Sequence, residues 1–324
     1  MGLFGPDSVT WRVHAEPVLW FAGLRALYLQ ALHPRVVEGV VQNSNYRADA
    51  WGRLMRTANY VGAVVYGTTA DAHRAAAKVR GIHRRLRATD PETGEEYRID
   101  EPDLLLWVHV TEMESFVSTA HRAGCPLSDA DVDTYYAEQV RAAELIGIDP
   151  ADVPASAAEV HDYYESVRPQ LRFSEGAKET AKFLVAPPLP WGLGWTPVRA
   201  AWLPISGLGF SLLPRWARRL YRTPGLPTTD LTATMTLRGL RAAIEALPDK
   251  VTRGPIYADA MRRAANSATA VPGSDAALDP DAALDPTDTA LDPTDTALDA
   301  PAQPGAAAGA ELAGVDSAEA AASV

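Results

Sequence analysis

The sequence predicts an all-α protein, with a single helical domain of about ten helices over residues 1–263 and an acidic tail over residues 264–324. Apolar side chains recur at three- and four-residue spacing through most of the first 263 residues, and alternating strand patterns are almost absent. Helix-start residues such as Pro102 and Ser128 stand where these apolar patterns begin. The spacing and the caps together indicate helices packed around a common core.

The tail differs from the rest of the chain in composition. It holds eleven acidic residues and no Lys or Arg, and it repeats Ala-Leu-Asp-Pro at 277–280, 283–286 and 290–293. Frequent proline and charge without aromatic residues predict a disordered, low-complexity segment. Residues 1–263 hold 30 acidic and 30 basic side chains, so the net charge of -11 belongs to the tail. A body without excess positive charge argues against nucleic acid as a partner.

The predicted helices follow one another along the chain. The first, at 18–32, is apolar on nearly every face and is therefore expected to be buried, and His33-Pro34 ends it. Further helices are predicted at 53–66, 70–86, 103–123, 129–146, 154–167, 174–186 and 228–247. Thr69 or Asp71 is expected to cap the third helix. Residues 88–98 are polar and contain Pro and Gly, which is typical of a loop or short hairpin.

Residues 187–224 are rich in Trp, Leu and Pro and end in several arginines. We interpret them as a proline-broken helical pair on the core, and the alternative is a segment that contacts a membrane surface. Cys125 is the single cysteine, which fits a reducing compartment. No signal peptide and no apolar run of spanning length is recognised, so the expected location is the cytoplasm, with membrane association as the alternative.

Two helical motifs about one helix apart carry the strongest chemical signal. Residues 53–57 (Arg-Leu-Met-Arg-Thr) offer hydrogen-bond donors, and residues 79–83 (Val-Arg-Gly-Ile-His) offer an imidazole between cationic neighbours. If they face each other across a buried pocket, they could hold an anionic, iron-bearing cofactor such as haem. One axial histidine suffices for haem, and arginines pair with its propionates.

Patterns typical of other metal, nucleotide or acyl-transfer sites are absent. No two of the seven histidines are four residues apart, none follows a Glu by three, and neither a Walker loop nor Gly-x-Ser-x-Gly occurs. His109 and Glu112 form only a reversed pair. A lone histidine more often caps a helix or packs in a core than binds a cofactor. His33, His83 and His109, in or beside apolar helices, are the three candidates.

Four segments then occur in an order known from one family: Leu32-His33-Pro34, Arg53-x-x-Arg56-Thr57, Val79-Arg80-x-x-His83 and the run from Asp103 to His109. On these segments the chain resembles, over roughly residues 5–245, the rubber oxygenase catalytic domain family. This family includes the latex-clearing protein and the membrane-bound oxygenase of mycophenolic acid biosynthesis. The resemblance implies a helical fold that holds one haem b, and therefore an oxidoreductase.

The resemblance also implies roles for individual residues. His83 falls on the position of the proximal iron ligand, with Arg80 beside it, and Arg53, Arg56 and Thr57 fall on the distal motif. The rubber enzyme has lysine at the position of Arg56. Because arginine stays protonated and ligates iron very poorly, we expect a distal site that is open or occupied by water.

Other expectations depend on the same resemblance. Glu38 is the nearest candidate for the distal glutamate base of the family, and His33 and His109 are further candidates for cofactor contact. A channel lined by residues such as Trp107 and Tyr60 is expected to bring the substrate to the haem.

The sequence therefore favours a haem b-dependent oxygenase that uses dioxygen on an apolar substrate, such as a lipid, a terpenoid or a secondary metabolite. One alternative is a non-catalytic haem- or ligand-binding helical protein at a membrane surface. Another is a helical scaffold without a cofactor. A non-haem iron site built from His33, His83 and His109 is a further alternative.

Overall fold

The structure is a computed structural model, and it describes residues 2–44, 47, 49–187, 197–247 and 255–269. The described part contains thirteen α-helices and one two-stranded hairpin, which confirms the all-α prediction. The first helices are α1 (Val9–His14), α2 (Leu19–Gln30), α3 (Pro34–Asn43), α4 (Ala50–Tyr66) and α5 (Thr69–His83). The hairpin of β1 (Arg87–Thr89) and β2 (Glu96–Arg98) follows, and it is antiparallel.

The second half of the described chain is helical throughout. It comprises α6 (Pro102–Ala123), α7 (Asp129–Ile146), α8 (Ala157–Val167), α9 (Glu175–Val185), α10 (Pro197–Ser211), α11 (Arg215–Leu220), α12 (Pro227–Glu245) and α13 (Pro255–Thr269). Short 3₁₀ turns at Pro150–Asp152 and Arg168–Gln170 flank α8. No helix within the described ranges is both long enough and apolar enough to cross a membrane.

Helix α6 lies at the centre of the core, and α2 packs along it in the antiparallel direction. Arg25 in the middle of α2 pairs with Glu114, just past the middle of α6. Gln30 at the end of α2 donates to the carbonyl oxygen of Val108, which lies nearer the start of α6. This pairing buries the apolar face of α2, as the sequence predicts.

Trp107 lies in this interface and has no exposed surface. Its indole N–H donates to the carbonyl oxygen of Gln30 at 3.3 Å, and its ring meets Tyr164 of α8 edge-on at 5.9 Å. The expectation that Trp107 lines a substrate channel is therefore wrong, because the side chain is part of the closed core.

Reciprocal capping boxes begin α5 and α7. The Ser128 hydroxyl accepts from the backbone N–H of Asp131, whose carboxylate accepts in return from Ser128, as the sequence predicts for α7. At α5 the same arrangement joins Thr68 and Asp71, so the cap lies one residue before the predicted Thr69.

Three helices were not predicted. Helix α1 has only six residues, which is too short to show a periodic pattern. His33-Pro34 was interpreted as a stop, yet Pro34 is also the first residue of α3, where a fixed φ and a missing N–H are favourable. Helix α13 includes residues 264–269, which the sequence analysis placed in the tail.

Some predictions fall outside the described residues. These include residues 188–196 of the tryptophan-rich region and the tail from residue 270 onward. Within the tryptophan-rich region, α10 and α11 agree with the predicted helical pair, and Pro204 lies inside α10.

Candidate functional site

The two sequence motifs lie on the two arms of one helical hairpin. Gly67 and Thr68 join α4 to α5, and the two helices pack against each other. A side chain at Gly67 would clash with the carbonyl oxygen of Ala63, so this tight connection requires glycine. Arg53 lies thirteen residues before the end of α4, and His83 lies fourteen residues after the start of α5. Each is therefore about 20 Å from the turn, at the same height along the hairpin.

The arms turn matching stripes toward each other. Residues 53, 57, 60 and 64 share one face of α4, and residues 72, 76, 79 and 83 share one face of α5, both at a spacing of four, three and four. Tyr60 packs against the small cluster of Ala72, Ala76 and Leu145, which shows that this face of α4 is turned toward α5.

Burial decreases along both stripes with distance from the turn. Val64, Ala72 and Ala76 are buried. Farther out, Tyr60, Val79, His83 and Arg53 are half-buried, and Thr57 is exposed. The far ends of the two arms, with Arg53 and Thr57 on α4 and His83 on α5, are therefore the part of the stripes that a ligand can reach.

The imidazole of His83 is suited to bind iron. Burial lowers its pKa, and the carboxylate of Asp100 opposes this only in part. The ring is therefore neutral at neutral pH, which is the state in which imidazole ligates a metal. Among the described residues, no group of three or more His, Cys, Asp or Glu side chains is placed to hold a metal ion. His33, His83 and His109 are therefore not brought together as one three-histidine site.

The arginines of the two motifs have other partners. Arg80 donates to the carbonyl oxygen of Leu145 at the end of α7, which uses one of its five N–H donors. Arg56 is about half exposed and pairs with Asp49, the N-cap of α4, at 3.0 Å. Neither guanidinium is placed as an iron ligand.

Thr57 also differs from its expected role. Its hydroxyl donates to the carbonyl oxygen of Arg53 at 3.2 Å. The side chain must therefore rotate before the hydroxyl can donate to a ligand. Glu38 lies elsewhere, where α3 meets α9. It accepts from Gln42 at 3.3 Å, and one of its oxygens lies 2.5 Å from the place a side chain would occupy at Gly176.

His33 has a structural role at the start of α3. Its Nδ1 accepts from the backbone N–H of Val36 at 3.4 Å and so caps α3. The ring is also hydrogen-bonded to Gln170 and is almost completely buried. Both sides of the His33 ring therefore have protein partners, and its contact with a cofactor stays a prediction.

His109 stays a candidate for cofactor contact. Glu112, one turn farther along α6, was given little weight in the sequence but has unusual surroundings in the structure. Burial alone lowers the pKa of His109 to about 4, and no described residue hydrogen-bonds to its ring. Burial alone raises the pKa of Glu112 to about 7. Glu112 nevertheless keeps accessible surface. The reversed pair His109-x-x-Glu112 was the feature of the sequence that could have drawn attention to Glu112.

The chain also matches a known protein family. Residues 11–246 match the family model described as "ER-bound oxygenase mpaB/B'/Rubber oxygenase, catalytic domain". No curated protein and no solved structure matches the chain. The matched range includes both arms of the hairpin and all of α6.

Proposed function

Because the chain belongs to the family of mpaB and rubber oxygenase catalytic domains, we propose that it is a haem b-dependent oxygenase acting on an apolar substrate. The family is one of oxygenases, which makes the chain a member of an oxidoreductase family. The observation that supports the finer proposal is that half-buried Arg53 and His83 lie at the same height on the two packed arms of the α4–α5 hairpin.

His83 is the protein ligand in this proposal, and Arg80 and Arg53 supply positive charge for the propionates of the haem. Bound haem would supply the binding and activation of dioxygen, a chemistry that side chains lack. The role of the chain is to hold the reactants together and to exclude water. Half-buried Leu54 on α4 and Val79 on α5 support an apolar substrate, since they place hydrocarbon in the outer parts of the two arms.

Arg56 limits the comparison with the rubber enzyme. Its guanidinium stays protonated and is paired with Asp49, so Arg56 would not serve as a ligand to the iron of a bound haem.

Haem binding is tested with two matched variants on α5. His83→Ala removes the half-buried imidazole, whereas His73→Ala removes an exposed one from the same helix. We expect the wild-type protein and H73A to purify with, or take up, one haem per chain and to show a Soret band, and H83A to lose it. Full haem content and an unchanged spectrum in H83A would contradict the assignment. Loss in His109→Ala alone would transfer the ligand role to His109.

Catalysis is tested by oxygen consumption with long-chain alkenes and terpenoids. Consumption that requires both haem and the apolar compound supports the oxygenase. Haem or ligand binding without any consumption supports a non-catalytic binding protein.

The membrane-surface alternative is favoured by a separate observation on α12. Leu226, Leu231 and Met235 are 52%, 65% and 61% exposed, and Arg219 and Arg238 are exposed beside them. Apolar side chains flanked by cations fit an anionic lipid surface. Co-flotation with phosphatidylserine vesicles that is lost in a Leu231→Asp, Met235→Asp double variant supports this contact, and equal flotation of both proteins contradicts it.

A further inference from the structure

A cavity of about 790 Å³ lies where α1, α12 and α13 meet the connection between α6 and α7. Its lining includes Trp11 of α1, Pro126 of the connection, Ile244 near the end of α12 and Tyr257 of α13. A cavity of this size suits a small organic molecule.

The cavity is separate from the candidate functional site. The indole N–H of Trp11 donates to the carbonyl oxygen of Val65 at 3.0 Å, so this wall lies beside the turn of the α4–α5 hairpin. Arg53 and His83 lie about 20 Å from that turn, at the far ends of the arms. A ligand in the cavity would therefore bind at the other end of the hairpin.

Aromatic rings form one wall of the cavity. The ring centroids of Trp11 and Tyr257 are 6.4 Å apart, and Tyr66 meets both rings edge-on, at 5.1 and 5.2 Å. These contacts hold the two lining rings in place without a ligand. Leu247 and Met261 also line the cavity and are 49% and 41% exposed. The wall offers hydrocarbon to an apolar body, and the faces of its rings attract cations.

The two guanidinium groups that line the cavity are already neutralised by carboxylates. Arg12 pairs with Asp131. Arg241 donates to both oxygens of Glu16, at 2.7 and 2.9 Å. Neither arginine therefore offers an uncompensated positive charge to an anionic ligand.

Two further carboxylates line the cavity at exposed positions. Glu245 shares Arg241 with Glu16, at 2.8 Å, and Asp7 has no ion-pair partner among the described residues. Negative charge therefore exceeds positive charge around the cavity, which favours a cation. No group of three or more potential metal ligands is placed to hold a metal ion in the described part of the chain. An organic cation fits these surroundings better than a metal ion.

We propose that this cavity binds an organic cation with an apolar body, such as an alkylammonium ion. The charged group lies near Asp7 and Glu245, and the hydrocarbon packs against Trp11 and Tyr257. This site goes beyond the proposed oxygenase function and does not depend on it.

The test compares three eight-carbon compounds that differ in charge: octyltrimethylammonium, octan-1-ol and octanoate. Isothermal titration calorimetry on the full-length protein as purified measures their affinities. We expect the wild-type protein to bind the cation about tenfold more tightly than the alcohol, and octanoate most weakly. Asp7→Asn and Glu245→Gln should each weaken binding of the cation about threefold, and the double variant about tenfold, with the affinity for the alcohol unchanged.

Variants of Tyr257 test the aromatic wall. Tyr257→Leu removes one ring face and should weaken binding of the cation about threefold, whereas Tyr257→Phe keeps the face and should bind as the wild type does. Two controls keep the result specific to this cavity. Glu144→Gln, at an exposed position on α7, and His83→Ala, at the candidate haem site, should both retain the wild-type affinity.

Three results would overturn the proposal. They are a wild-type protein that does not bind the cation or does not prefer it to the alcohol, a D7N/E245Q double variant that keeps the wild-type affinity, and equal affinities in Y257L and Y257F. The measurement needs neither haem nor oxygen, so its outcome is independent of the haem assignment.

Discussion

Replacing Glu112 with Gln should make the protein more stable at high pH and should leave its stability nearly unchanged at low pH. Burial raises the pKa of this carboxyl group from an ordinary 4.5 to about 7 in the folded protein. Between these two values the folded state holds the proton more tightly than the unfolded state does. The free energy of unfolding of the wild-type protein therefore falls as the pH rises through this window.

The size of the effect follows from the size of the shift. A change of one pKa unit corresponds to about 1.4 kcal/mol, so the ionised Glu112 costs the folded protein about 3 kcal/mol above pH 7. Glutamine carries no charge at any pH and avoids this cost. The variant should consequently gain about 3 kcal/mol over the wild type at about pH 8 and only a small part of that at about pH 5.

Urea unfolding followed by circular dichroism at the two pH values measures the difference directly. Burial lowers the pKa of His14 to about 3 and that of His109 to about 4, so both raise stability as the pH increases. The two histidines contribute equally to the wild-type protein and to E112Q, so their contributions cancel in the difference between the two unfolding free energies. Glu144→Gln, at an exposed site, is the control and should show no pH-dependent gain. A pH-independent difference for E112Q would refute the reasoning, and a loss at high pH would reveal a cationic partner.

Three further substitutions test the structural assignments. His33→Ala should lower the free energy of unfolding by about 1 kcal/mol, the usual value of a lost helix cap, and urea unfolding measures this. The haem content in a pyridine haemochrome assay should stay unchanged. A reduced haem content would instead support a contact between His33 and the cofactor. Glu114→Ala should lower the free energy of unfolding by about 3–5 kcal/mol, because it leaves a buried guanidinium unpaired. Gly176→Ala should destabilise by about 1–3 kcal/mol, since its new methyl group would meet the Glu38 carboxylate. Gly239→Ala, in open space on α12, should instead stabilise by up to about 1 kcal/mol, and equal effects at the two glycines would contradict the packing described.

Regular helices with strong apolar periodicity could be predicted from the sequence, and helices defined by one boundary residue could not. The predicted ends of α4, α6 and α7 lie within three residues of the observed ones. Helix α3 was not predicted because a proline after a helix is compatible with a stop and equally with the first residue of a new helix, which is the position of Pro34. Only the tertiary structure decides whether the chain continues as a helix after such a residue.

The candidate site was predictable to the extent that it depends on motif order. The spacing placed Arg53 and His83 on consecutive helices, and the short turn at Gly67 brings their faces together. Side-chain partners were not predictable in the same way. Arg56 pairs with Asp49, and Trp107 is in the core instead of a channel, because both outcomes depend on rotation about a helix axis that composition does not encode.

The two glutamates of α6 show why residue type alone does not predict the surroundings of a side chain. Glu112 and Glu114 are the same residue type, two positions apart on one helix, and both are half-buried. A difference of two positions turns Glu114 toward Arg25 and places Glu112 on another face of the helix. The paired carboxylate contributes to stability, whereas burial of Glu112 lowers the stability of the folded protein at high pH. Because proteins retain such costs at functional sites, the variant E112Q is worth testing for activity as well as for stability.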